Sequence, residues 1–215
     1  MVKTPEIFNQ EKIESKKVIF LGNEIIRRDS GERWFLTEDE IKKAKNFYEK
    51  EKINPLTKEN LYLAGIDAIL SIGENSKKQK KILKKLQDAG LDEPKKIIGQ
   101  ADKLEKLLKE SDYKPRFYNK IPKFILGFSS WFLRSNLPNE IIRDTKKEKG
   151  IEFRDKLADR HSLDKVPGMG PKVASLFLVL CGYENVAVLD LHMWRFLNAH
   201  SKFPEKIPDE RHSGL

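Results

Sequence analysis

The chain has 215 residues, 39% hydrophobic and 35% charged, which is enough apolar side chain for a folded core and too much for a disordered tail. No apolar run approaches the ~20 residues of a membrane span, Met1 to Lys17 hold no signal-peptide apolar region, and the single cysteine, Cys181, excludes an intrachain disulfide and a multi-thiolate zinc or iron–sulfur site. The net charge of +9 and a pI near 9.4 favour a polyanionic partner, the competing reading being a lysine-rich solvated surface.

Residues 17–36 are the least helical. Val18 to Leu21 and Glu24 to Arg28 flank Gly22-Asn23, and Asp29-Ser30-Gly31 is a turn signal, so a short β-hairpin is expected near the N-terminus. Thr37 followed by Glu40 reads as a capping box that opens a helix to about Lys50, and Pro55 breaks it. From Thr57 onward the pattern is helical. Leu61 to Ser71 is apolar enough to be buried, and Ser76 to Leu86 is a lysine-rich helix with a thin stripe of Ile82, Leu83 and Leu86, stopped by Gly90. Ile97, Ala101, Leu104 and Leu108 share one face and predict a single helix over 94–110. Tyr118 to Leu133 predicts an aromatic-rich helix with Phe124, Phe128, Trp131 and Phe132, preceded by the polar Arg116-Phe117-Tyr118-Asn119-Lys120. Pro138 and Asn139 open another helix, and charged residues follow to His161. The expected fold class is all-α. The four histidines, His161, His192, His200 and His212, show no helical pairing suited to a metal.

The stretch that carries chemistry is 163–197. Val166-Pro167-Gly168-Met169-Gly170 reads as a tight hairpin between two helices, about 162–181. Gly168 and Gly170 are expected to permit backbone geometry that side chains forbid and to let the backbone approach a phosphate closely. The next helix, Lys172 to Leu180, aims its free N–H groups at such an anion, which anchors a DNA backbone without reading sequence. Lys172 lies in the first turn, where a cation opposes the helix dipole and is mildly unfavourable unless it has a task. A plain phosphate contact is one task. A nucleophile is the other, and a lysine nucleophile must be neutral, a state that a positive helix end and desolvation both favour. Val173 to Cys181 is a buried helix, with Cys181 as a small core residue. Asp190 precedes the helical run Leu191 to Ala199 and reads as its N-cap, which would also fix the direction of the carboxylate.

Together these residues resemble the helix-hairpin-helix DNA glycosylase superfamily with its glycine/proline-rich loop and downstream aspartate. The likeness is carried by Pro167-Gly168-Met169-Gly170-Pro171-Lys172-Val173-Ala174, with Asp190 18 residues after Lys172 (190 − 172). Asp190-Leu191-His192-Met193-Trp194 is most similar to the 8-oxoguanine branch. The strong likeness covers about 161–200. A weaker one runs back to Leu61 through Leu70-Ser71 and the Arg116–Lys120 segment, while residues 1–55 match nothing in the family.

The resemblance implies a two-lobed helical fold: an N-terminal segment 1–55 packing with the C-terminal helix, a helical barrel 56–187, and a segment 188–215 with the aspartate. It implies a bifunctional DNA N-glycosylase/AP lyase of base excision repair that removes an oxidised base, foremost 8-oxoguanine. Lys172 is then the nucleophile and Asp190 its acidic partner. Val166, Gly168, Gly170, Pro171, His192 and Lys120 are then DNA-backbone contacts. Asn75 stands in for the wedge that fills the gap left by the flipped base, since Ile72-Gly73 occupy the place where the family puts Gln or Asn. Phe128, Trp131 and Trp194 are pocket candidates. No cofactor is expected, the four-cysteine cluster of the endonuclease III branch being absent. A structural monovalent cation at the hairpin is compatible with the reading. The expected partner is double-stranded DNA with a damaged base or abasic site, bound by a monomer inside the cell, in the cytoplasm or nucleoid, or the nucleus of a eukaryote. The chain ends 25 residues after Asp190 (215 − 190), so the N-terminal segment, further residues or a partner would complete the base pocket. Two other readings remain: a glycosylase/lyase for another damaged base such as an oxidised pyrimidine, and a non-catalytic helix-hairpin-helix module that only holds DNA.

Overall fold

The helix α1, Lys58–Leu70, is the spine around which the other helices gather. Thr57 caps it, its hydroxyl accepting the Asn60 N–H at 3.2 Å. Leu61, Tyr62, Ala64, Ile66, Ala68, Ile69 and Leu70 are buried, so only a narrow half-buried stripe of Asn60, Leu63 and Asp67 is left and the helix must be covered on several sides. Each large apolar side chain buried in this way contributes ~1.5–3 kcal/mol relative to leaving it in water. The computed structural model describes residues 25–26, 33–34, 42–43, 46, 49–50, 52–53, 56–110 and 114–188. The chain divides into two units, Lys52–Val188 and Met1–Glu51 with Leu189–Leu215.

In the larger unit α1 is followed by α2 (Ser76–Asp88), α3 (Pro94–Gly99), α4 (Ala101–Lys109), α5 (Ile121–Arg134), α6 (Leu137–Arg143), α7 (Gly150–Ala158) and α8 (Pro171–Leu180). Helices α2, α5, α6 and α8 pack on α1, α3 and α4 lie against α5, and α7 pairs with α8. Helix α2 turns Ile82 and Leu86 inward and its lysines outward, and Gly90, at φ +71°, ends it with Leu91 N–H donating to Leu86 O at 2.8 Å. The unit's entry is tied to α8 by the Ile53 N–H on Leu180 O at 2.9 Å. The core is aromatic at its centre. Phe128 stacks on Tyr62 and Trp131 at 5.5 and 5.6 Å and meets Phe177 edge-on, while Tyr62 Oη and Ser129 Oγ share a buried hydrogen bond of 2.6 Å.

Three expectations change. The helix expected over 94–110 is two helices, broken at Gln100 (φ −129°, ψ 40°). Ile97, Leu104 and Leu108 are nonetheless all buried, because both pieces face α5. The aromatic helix begins at Ile121 rather than Tyr118. Pro122 sits in its first turn, and 116–120 are wound into turns in which Lys120 N–H donates to Phe117 O at 2.8 Å. The charged stretch before His161 holds α7, whose buried face is Phe153 and Leu157, four residues apart.

In the smaller unit, β1 (Ile25–Ile26) pairs antiparallel with β2 (Arg33–Trp34), Ile25 opposite Trp34 and Ile26 opposite Arg33. This is the hairpin expected within 17–36. The described residues among 42–50 are helical, in line with a helix running to about Lys50.

Candidate functional site

The hairpin joins α7 to α8 and is pinned from inside. Val166 and Met169 are wholly buried. Val166 N–H donates to Leu157 O in α7 at 3.1 Å, and Met169 N–H donates to Val166 O at 3.1 Å. Lys165 Nζ donates to Ala158 O at 2.8 Å and to Met169 O. Ahead of the turn, Ser162 N–H donates to Asp159 O at 3.0 Å, and Ser135 Oγ donates to the Asp164 carboxylate at 2.5 Å while accepting the Leu137 N–H at 3.0 Å, which binds the connector to the start of α6.

From outside, the hairpin rests on α5. Gly168 has φ +81°, and a Cβ there would lie 2.4 Å from Phe124 Cγ. A Cβ on Gly127 of α5 would lie 2.8 Å from Pro167 Cγ. Gly168 is therefore required twice, by its left-handed backbone and by the ring against it. Gly170 differs from the expectation. Its φ of −81° and ψ of 177° are ordinary, and nothing lies within 4 Å of where its Cβ would be. What its missing side chain leaves is open space at the N-cap of α8, the condition for a backbone to meet a phosphate closely.

Helix α8 follows with Pro171 in its first position, Lys172 in its second, and an apolar body of Val173, Ala174, Phe177 and Leu178 buried against α1 and α7. Proline has no N–H to orphan, so it suits that place. The Lys172 side chain is exposed, so the desolvation expected of a nucleophilic lysine is not supplied by the protein in this state.

The remaining expected residues are spread over the unit. Val166 has a buried side chain, its N–H donates to Leu157 O and its C=O accepts the Met169 N–H, so it anchors the turn. Lys120 is exposed at the N-cap of α5. Asn75 is exposed and caps α2, its Oδ1 accepting the Lys78 N–H at 3.0 Å. Its neighbour Glu74 ties this loop to the 115–120 turns by accepting the Arg116 N–H and pairing with Lys78 at 3.4 Å. Phe128 is 0% exposed and offers no open ring face to a flipped base. Trp131 is 5% exposed, and its indole Nε1 is buried without a hydrogen-bond partner. Asp190, His192 and Trp194 lie outside the described residues. Phe124, Gly127 and Lys165, which seat and staple the hairpin, carry no sequence signal that separates them from ordinary core or surface residues.

Residues 69–211 match the family model of 8-oxoguanine DNA glycosylase, a span that includes both Lys172 and Asp190. The chain belongs to the 8-oxoguanine DNA glycosylase family. Among solved structures it is similar to the 8-oxoguanine DNA glycosylase of Methanocaldococcus jannaschii, with a TM-score of 0.55 and 22% identity over 72% of this chain. At that identity the likeness bears on the helical fold. The match covers 66% of that protein's length. No curated protein matches the chain. Among the described residues no helix is long and apolar enough to cross a membrane, and no group of three or more His, Cys, Asp or Glu could hold a metal ion.

Proposed function

We propose that this chain is a DNA N-glycosylase/AP lyase that excises 8-oxoguanine from double-stranded DNA. The observation that carries the reading is the placement of Lys172, in the first turn of a helix that opens directly from a seated glycine hairpin, in a chain of this family. Gly168, Gly170, Pro171 and the first-turn N–H groups of α8 hold the strand, with Lys120 and His192 as further phosphate contacts. The damaged nucleotide leaves the stack for a pocket, since its sugar cannot be reached inside a duplex. Trp131, whose indole N–H is unspent, and Trp194 are assigned to that pocket. DNA closing over Lys172 supplies the water exclusion that the free protein lacks.

The Lys172 amine attacks C1′ of the nucleotide. The electron pair of the breaking glycosidic bond leaves with the base, which takes up a proton. Asp190 stabilises the positive charge that develops on the sugar. Opening of the sugar ring yields a Schiff base. Loss of a proton from C2′ then expels the 3′ phosphate, cutting the strand on that side of the lesion. The enzyme acts as a monomer inside the cell and uses no cofactor for this chemistry.

Incubation with duplexes carrying one 8-oxoguanine, one oxidised pyrimidine, one abasic site or no lesion tests the reading. Strand cutting at 8-oxoguanine and at the abasic site is expected. Faster cutting at the oxidised pyrimidine reassigns the substrate, and binding without cutting of any duplex leaves only a DNA-holding module.

A further inference from the structure

A cation bound at the hairpin would have to be held by backbone carbonyls, because no suitable cluster of side-chain ligands exists among the described residues. Three carbonyls in and beside the turn each accept one hydrogen bond: Leu157 O from Val166 N–H, Ser162 O from Lys165 N–H, and Val166 O from Met169 N–H. Ala158 O and Met169 O converge, and the Lys165 ammonium lies on both. A free ion would have to displace that ammonium or sit beside it against like-charge repulsion. The pair of carbonyls that converges here is therefore filled by Lys165 and leaves no place between them for a monovalent cation.

We propose that Lys165 is a built-in cation of the hairpin, positioning it for a DNA strand without an ion from solution; the DNA half of this statement rests on the function proposed above. Ala158 is the last residue of α7, where carbonyls lack partners within the helix and the helix dipole favours a positive charge. Met169 lies between Gly168 and Gly170. One ammonium thus joins the end of the first helix to the apex of the turn. Lys165 is half-buried, and burial pushes its amine below the usual lysine range while Asp159 pulls the other way. Its chain tether means that it is not diluted or exchanged when salt changes. Lys165 is a positioning residue and takes no part in bond breaking.

The test uses the full chain in buffers of equal ionic strength whose sole monovalent cation is potassium, sodium or choline. Choline is too large to be held by two carbonyls of a tight turn. Thermal unfolding and affinity for an undamaged duplex are measured for the wild type and for Lys165→Met. The wild type is expected to show the same midpoint and affinity in all three salts. Lys165→Met should bind about tenfold more weakly in choline, the loss of one charge-assisted contact, and recover in part in potassium or sodium. A wild type that needs potassium for stability or binding overturns the proposal without any variant. So does a Lys165→Met protein that is weakened equally in all three salts, which would mark the lysine as surface charge only. If the wild type binds no DNA, the function reading fails, while the unfolding midpoints still decide whether Lys165 replaces an ion.

Discussion

The two glycines of the hairpin should respond to alanine in opposite ways. In Gly168→Ala the new Cβ meets a backbone at φ +81° and lies 2.4 Å from Phe124 Cγ, 2.7 Å from its Cδ2 and 2.8 Å from its Cβ. Left-handed backbone costs a residue with a Cβ about 1–2 kcal/mol. Displacing a packed ring costs about 1–3 kcal/mol more. The sum is about 2–5 kcal/mol, a large share of the ~5–15 kcal/mol that holds a domain, and lowers Tm by on the order of 10 °C in a chain of this size. In Gly170→Ala the backbone is already in a conformation alanine adopts and the methyl enters open space. Its restriction of the unfolded chain even adds about 0.4–1 kcal/mol of stability. That methyl stands where the DNA backbone has to come close, so duplex affinity should fall about tenfold. Thermal unfolding and fluorescence anisotropy with an undamaged duplex read both effects. A Gly168→Ala protein that melts with the wild type, or a Gly170→Ala protein that loses stability and binds normally, refutes the geometry argued for this turn.

Gly127→Ala places a methyl 2.8 Å from Pro167 Cγ and 3.0 Å from its Cβ. Overpacking of about 1–3 kcal/mol outweighs the helix-propensity gain of about 0.5–1 kcal/mol, so a net loss near 1 kcal/mol and weaker duplex binding are expected by denaturant titration and anisotropy. Burial pushes the Tyr62 phenol above its ordinary pKa of 10.0 and acts in the same direction on Tyr183 and Cys181. The fold therefore retains protons that the unfolded chain gives up. The Tyr62 contribution is complete below pH ~10 and is lost as pH rises beyond it. Tyr62→Phe should cost about 1 kcal/mol at neutral pH and flatten the alkaline decline measured by urea unfolding; an unchanged slope contradicts this. Asp190→Asn should bind lesion DNA and turn over about 10²–10⁴-fold more slowly in single-turnover assays, whereas normal turnover would leave Asp190 a cap alone.

Much of this is legible before any coordinates, where one helix carries its own pattern. The unbroken apolar run of α1, the thin stripe of α2 between lysines and the apolar body of α8 each state a local preference that the fold obeys. The break at Gln100 is hidden because Ile97, Leu104 and Leu108 remain buried on either side of it. Helix α7 is hidden because Phe153 and Leu157 are a sparse apolar signal among many charges, and what holds it is α8. The hairpin glycines announce a turn, but their different tasks do not appear in the sequence. Only the Phe124 ring beneath Gly168 and the empty space at Gly170 separate them. Lys165 reads as one more surface lysine until two carbonyls are seen to converge on it.

As nucleophile, Lys172 forms a covalent bond with the sugar of an excised base. Borohydride reduction during incubation with duplex carrying a single 8-oxoguanine tests it most directly, because reduction freezes a Schiff base into a stable protein–DNA adduct. An adduct is expected with the wild type, found on Lys172 by peptide mapping, and none with Lys172→Gln although that variant still binds the duplex. An adduct that survives Lys172→Gln, or no adduct from a wild-type protein that excises the base, would contradict it.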